Sequence, residues 1–254
     1  MDDYLLKIKK DGVCVIPNVV SKSEASCMRI LLQKFINEDL EKWAGKDYSD
    51  RWMVHNLMIK DKLFADLLEN PILHKYFSLL LGETCILYAY TSSSMPAGGA
   101  NYSHRIHVDS PRFIPNYWTN VGMMLALDDF REDNGATYFL PGSHLLPDVP
   151  DEKFFLNNAI RVYPKTGDAV IFSARTWHMG GENKSSESRH AVTMNICRSY
   201  MRQRFDYPRL VPEDVVKNLG EIGKRFLGFN VRVPVSLDEY YLPVDQRLYK
   251  ANQG

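Results

Sequence analysis

Residues 121–140, VGMMLALDDFREDNGATYFL, hold two β-rich runs, Val121–Leu127 and Ala136–Leu140, on either side of Asp133-Asn134-Gly135. Asn-Gly supplies the positive-φ positions that tight hairpin turns need, so the stretch predicts strand, turn, strand. The texture continues outward. Upstream lie Val13–Ile16, Ile86–Tyr90 and Arg105–Asp109; downstream lie Ile160–Tyr163, Asp168–Phe172 and His190–Cys197. About eight strands separated by turn chemistry predict a mainly β fold with flanking helices, built as a double-sheet jelly roll.

Helical spacing flanks this region. Ser21-Lys22-Ser23-Glu24 forms a capping box in which Ser21 and Glu24 satisfy each other's free amides. Met28, Leu31, Leu32, Phe35, Ile36, Leu40 and Trp43 then recur as one face of an amphipathic helix. A second helix is expected after Asn70-Pro71, with Gly82 just past its end. A third covers about Glu213–Phe226, before an irregular tail. With no repeat and no Pro/Gly/Ser-rich linker, residues 1–254 read as one domain. Its N-terminal helices span about 21–82, its jelly-roll core about 84–200, and its C-terminal helix and tail 211–254.

The 254 residues balance 31 Lys and Arg against 31 Asp and Glu. A protein that displaces counterions from nucleic acid carries a basic excess, so no nucleic-acid partner is expected. At 45% hydrophobic and 12% aromatic residues, the chain is no disordered tail. Its apolar runs fall far short of the roughly 18 residues of a membrane span. The N-terminus, MDDYLLKIKKDG, lacks the apolar core of a signal peptide. Cys14, Cys27, Cys85 and Cys197 form no CxxC pair and read as reduced, mostly buried thiols. A cytoplasmic location with no membrane partner is expected.

His107-Val108-Asp109 places an imidazole and a carboxylate side by side, because residues i and i+2 of an extended strand share a face. Alone the pair is a weak signal. Its company is specific: Asn134-Gly135-Ala136-Thr137-Tyr138-Phe139-Leu140-Pro141-Gly142-Ser143-His144, then Gly167–Phe172, Trp177-His178-Met179-Gly180-Gly181 and Ser188-Arg189-His190-Ala191-Val192. In this order the motifs resemble the phytanoyl-CoA dioxygenase-like family of iron(II)- and 2-oxoglutarate-dependent oxygenases. The resemblance covers nearly the whole chain, including Leu227-Gly228-Phe229 and Leu237–Tyr241.

That resemblance implies a cupin-like double-stranded β-helix with iron(II) held by His107, Asp109 and His178. Two histidines and a carboxylate fill three positions of an octahedral ion and leave three open. By the resemblance, 2-oxoglutarate takes two of these and dioxygen the third. Arg189, 11 positions after His178, and Thr137 are the implied partners of the cosubstrate's far carboxylate, which a guanidinium fork can grip bidentately. His104 stands where relatives often carry Gln near the cosubstrate, although strict alternation sends it to the face opposite His107. Asp109 occupies the place where halogenating relatives keep a small residue. Hydroxylation, or desaturation or ring formation by the same residues, is therefore expected rather than chlorination.

The expected substrate is a small-molecule metabolite whose unactivated C–H bond is oxidised as 2-oxoglutarate becomes succinate and CO2. Tyr90, Arg112 and Trp118 are the expected substrate contacts, with Tyr102 and Tyr117 also near the HVD segment and Arg175 near the distal His178. Arg198, Arg202, Arg204 and Arg209 form a basic cluster around Asp206. His55, His74, His144, His190 and Asp168 read as structural. Two rival readings use the same residues. One is a catalytically silent jelly roll that binds 2-oxoglutarate as a regulator. The other is a zinc-dependent hydrolase on the same three ligands, which leaves Arg189 and Thr137 without a task. The sequence sets neither the substrate nor an oligomeric state.

Overall fold

The computed structural model describes residues 2–43 and 51–253. Asn120–Ala126 is apolar throughout, apart from Asn120, and buried at every position, so it needs cover on both faces. It is the middle strand of a five-stranded antiparallel sheet. In chain order the strands are β1 (Val13–Ile16), β2 (Ile86–Met95), β3 (Asn120–Ala126), β4 (Tyr138–Phe139), β5 (Ile160–Arg161), β6 (Ala169–Ser173), β7 (His178–Met179) and β8 (Arg189–Cys197). The large sheet runs β1-β6-β3-β8-β2 and a smaller antiparallel sheet runs β5-β4-β7. One face of the large sheet, including Leu125, Ile171, Val192 and Ile196, packs with helix residues such as Leu32 and Phe77. The other face, including Met124, Val170, Phe172 and Ala191, packs with Phe139 and Val162 from the region of the small sheet.

The helical layer follows its local signals. Helix α1 (Asp3–Asp11), unforeseen in the sequence reading, is capped by the Asp2 carboxylate and ends at Gly12 (φ 79°). It buries only Ile8, too little to leave a period in the sequence. Helix α2 (Lys22–Lys42) carries the full Ser21–Glu24 capping box, and α3 (Lys62–Asp66) is a short addition. Helix α4 (Pro71–Leu81) begins at the Asn70 cap, with Pro71 in its first turn, and ends at Gly82. Further along come α5 (Glu152–Asn158) and α6 (Tyr207–Leu210). The expected helix Glu213–Phe226 is two, α7 (Glu213–Lys217) and α8 (Glu221–Phe226). The break lets the Gly223 amide donate to Glu69 Oε1 at 2.9 Å, where any Cβ on Gly223 would crowd the carboxylate. Helices hold more of the described residues than strands do, so the fold is mixed rather than mainly β.

Two further expectations are corrected. The Asn134-Gly135 turn joins no hairpin, because β3 pairs only with β6 and β8 while β4 pairs with β5 and β7. It passes the chain between sheets. Asn134 holds the crossing by accepting from the Arg131 amide and donating to the Asp129 carbonyl. Gly135, at φ 82°, lies so close to the Gly181 carbonyl that a Cβ would approach it to 2.8 Å. The expected strand Arg105–Asp109 is reduced to one bridge, His107 opposite His178. Strands 138–139 and 160–161 are likewise shorter than their apolar runs.

Candidate active site

The bridge between His107 and His178 sets the centre. Each backbone amide donates to the other's carbonyl, at 3.0 and 2.9 Å, so the side chains of this hydrogen-bonded pair emerge together. Their rings lie 4.2 Å apart. Asp109, two positions on, brings Oδ1 to 3.7 Å from His107 Nε2 and 3.8 Å from His178 Nε2. The i, i+2 relation thus survives although the segment is no regular strand. The three donor atoms lie within 4.8 Å of one another, in reach of one ion.

Both imidazoles are held the same way. His107 Nδ1 lies 2.8 Å from the Arg105 carbonyl and His178 Nδ1 lies 2.9 Å from the Thr176 carbonyl. A carbonyl accepts only from N–H, so each Nδ1 keeps its proton and each Nε2 lone pair faces the shared point. Burial and the neighbouring His178 ring push the His107 pKa down to about 4, which keeps the free ligand neutral. His178 is further fixed by Phe139, stacked at 5.4 Å, and by Phe172 at 5.1 Å. The donor set and its fixed tautomers suit a divalent metal.

The triad opens into a cavity of about 280 Å³ that also reaches Thr137, Arg189 and the inner face of β2 and β8. Arg189, at the start of β8, is 2% exposed. Its Cζ sits 3.9 Å from the centre of the Phe130 ring, and its Nε and Nη1 have no hydrogen-bond partner. Burial lowers its pKa to about 10, which leaves it charged at neutral pH. A buried, charged guanidinium with empty donors is costly unless an anion completes it. The buried Thr137 hydroxyl has only the Met124 sulfur at 4.0 Å and can turn to the same space.

The other expected residues fall elsewhere. Tyr90 is a core side chain, fully buried, with its hydroxyl donating to the Phe64 carbonyl at 2.8 Å. Trp118 lines a second cavity, edge-on to His144 at 5.4 Å, and Arg112 is exposed on the loop after Asp109; neither lines the metal cavity. His104 is exposed and also lies outside it, with Nδ1 2.9 Å from the Gly180 carbonyl. That contact ties loop 101–109 to the residue after the His178 strand, so His104 braces the loop that carries His107 and Asp109. Arg175 and Arg198 bond loop carbonyls of Pro111 and Trp118. His144 Nε2 meets the Lys9 carbonyl and Asp168 accepts from the Asn18 and Lys165 amides, structural tasks as expected. Sequence reasoning missed Met53, Tyr88, Asn195 and Arg204 as cavity residues.

Against this geometry, residues 8–191 match the family model described as phytanoyl-CoA dioxygenase. The chain belongs to the phytanoyl-CoA dioxygenase family. Proteins similar to this chain include the uncharacterized protein Rv1501 of Mycobacterium tuberculosis, 31% identical over 252 residues, covering 96% of this chain and 92% of that protein. The dioxygenase sphC of Aspergillus fumigatus is 23% identical over 255 residues, covering 92% and 69%. Among solved structures, AviO1 from Streptomyces viridochromogenes Tue57 superposes with a TM-score of 0.66 at 20% identity, covering 79% of this chain and 96% of that one, and so shares the fold. Membership of the phytanoyl-CoA dioxygenase family makes this chain a non-heme oxygenase, and His107, Asp109 and His178 supply a metal-binding group.

Proposed function

We propose that the protein is an iron(II)- and 2-oxoglutarate-dependent oxygenase of a small-molecule metabolite. The two facing sheets are read as a double-stranded β-helix that carries the site, with residues 1–254 acting as one unit. The observation that carries the reading is Arg189. Its unpaired guanidinium is buried in the same cavity as the triad, where a dicarboxylate bound to the metal can place its second carboxylate. Iron(II) held by His107, Asp109 and His178, with 2-oxoglutarate and dioxygen, would supply the power to hydroxylate an unactivated C–H bond, one oxygen atom ending in the hydroxyl and the other in succinate as CO2 leaves.

The chain's own residues do the positioning. The Arg105 and Thr176 carbonyls hold the two Nδ1 protons, so His107 and His178 offer Nε2. Asp109 supplies the one anionic ligand. Arg189 and Thr137 orient the cosubstrate's far end, and Phe139 and Phe172 shield His178 from water. A zinc hydrolase or a silent regulator uses the same three ligands but differs in outcome. Purified protein with iron(II), ascorbate and labelled 2-oxoglutarate is expected to release CO2 and succinate, more so with an extract of candidate substrates. The Asp109→Ala variant is expected to release none. Equal release from both proteins under every condition overturns the reading.

A further inference from the structure

Arg204 lines the metal cavity at the end away from Arg189. The register fixes their separation. Arg189 faces Met95 and Asn195 faces Ala89, six positions along β8, or roughly 20 Å at strand rise. Phe172, Gly122, Asn195 and Ala89 form one rung across β6, β3, β8 and β2. Phe172 touches His178, so the Asn195 end of the rung lies about two strand spacings, or ~10 Å, to the side of the metal ligands. The Arg204 amide donates to the Tyr88 carbonyl at 3.0 Å, which ties this arginine to that end.

A break in β2 shapes the place. The register shifts between Leu87 and Ala89, and Tyr88 and Ala89 both line the cavity although neighbours in a regular strand face opposite sides. A bulge re-aims a side chain in this way. The Tyr88 ring, the Asn195 amide and Arg204 therefore meet at one mouth. Within the basic cluster the other members with a partner are bonded elsewhere: Arg198 donates to the Trp118 carbonyl and Arg209 pairs with Asp206 at 3.7 Å. Among the described residues Arg204 has no ion pair and no side-chain hydrogen bond, and the one carboxylate in the cavity wall is Asp109.

We infer that the primary substrate carries an anionic group, a carboxylate or a phosphate, held by Arg204 at this mouth while its oxidised carbon lies at the metal. The inference rests on the function proposed above. On that reading a divalent ion, Asp109, two arginines and a doubly charged cosubstrate leave one positive charge in the cavity, which one anion neutralises. A guanidinium serves either anion through a planar fork.

The probes are phenylacetate, phenyl phosphate and the neutral phenylacetamide, titrated calorimetrically into Mn(II)-loaded protein, with and without 2-oxoglutarate. Wild type is expected to bind at least one anion about tenfold more tightly than the amide, and the stronger of the two identifies the group. Arg204→Gln is expected to lose that preference, Arg204→Lys to keep part of it, and both to bind 2-oxoglutarate as wild type does. Equal binding of anions and amide to wild type, or an unchanged preference in Arg204→Gln, overturns the inference. So does a loss of 2-oxoglutarate binding in Arg204→Gln, since Arg204 would then be the cosubstrate's anchor. If wild type ignores 2-oxoglutarate yet keeps an Arg204-dependent anion preference, the proposed function fails while the anion site stands.

Discussion

The large sheet carries Arg189 on a nine-residue strand paired on both sides, whereas the small sheet carries His178 on a strand of two residues. Arg189 is held by burial: β2 and β3 flank its strand, and Phe130 covers its guanidinium. His178 and its partner His107 are held by individual hydrogen bonds, to each other's backbone and to the Thr176 and Arg105 carbonyls. Ser103, His104 and Gly180 add the lacing that keeps loop 101–109 in place. A buried charge is held by a rigid, dry wall, while metal ligands on short, irregular segments rely on outer hydrogen bonds to fix their orientation.

This contrast can be broken at the large sheet first. Arg189→Met should weaken 2-oxoglutarate about ten- to a hundredfold, the worth of roughly 1.5–3 kcal/mol in a charged contact, and leave metal binding unchanged. The same variant should melt no lower than wild type without ligands, because it removes a buried charge whose Nε and Nη1 lack hydrogen-bond partners and whose desolvation outweighs the attraction of Asp128. Parallel calorimetry and thermal melting check both; equal loss of metal and cosubstrate would place Arg189 in the scaffold instead.

Where the sheets touch, Gly122→Ala should cost about 1–3 kcal/mol. Its new Cβ would overlap the Phe172 ring, which leans on His178, so metal affinity should fall along with the urea midpoint. An unchanged midpoint would mean that the Phe172 ring moves aside freely.

The smallest effect is on pH. His190 is buried beside Ser94 Oγ at 2.8 Å, and desolvation lowers its pKa to about 4. Below about pH 6.5 the unfolded chain gains a proton that folded His190 refuses until about pH 4. Stability should therefore fall as pH drops through that window, and His107 adds to the fall in metal-free protein. Urea midpoints at about pH 7 and pH 5 should differ less in His190→Gln than in wild type.

Legibility in the sequence was greatest where burial imposes a period. Val13–Ile16, Val121–Leu127 and His190–Cys197 lie within a residue of their observed strands, and the Ser21 and Asn70 caps act as their local chemistry requires. It was weakest where tertiary contacts override a local signal. The Asn134-Gly135 turn crosses between sheets because Gly181 presses against it, and Tyr90 is core because the Phe64 carbonyl takes its hydroxyl.

The sequence by itself determined the ligand set His107, Asp109 and His178, the basic residue that follows it, and most of the large sheet. The His107–Asp109 pair and the large sheet depend on residue type, short spacing and hydrophobic period, while His178 and Arg189 were implied by the ordered motifs that resemble the family. Only the tertiary structure decided that the Arg189 Nε and Nη1 are buried without hydrogen-bond partners, that His104 braces Gly180, and that a bulge brings Tyr88 to Arg204. Each of those depends on packing between segments far apart in sequence, and no local pattern encodes what lies across a cavity.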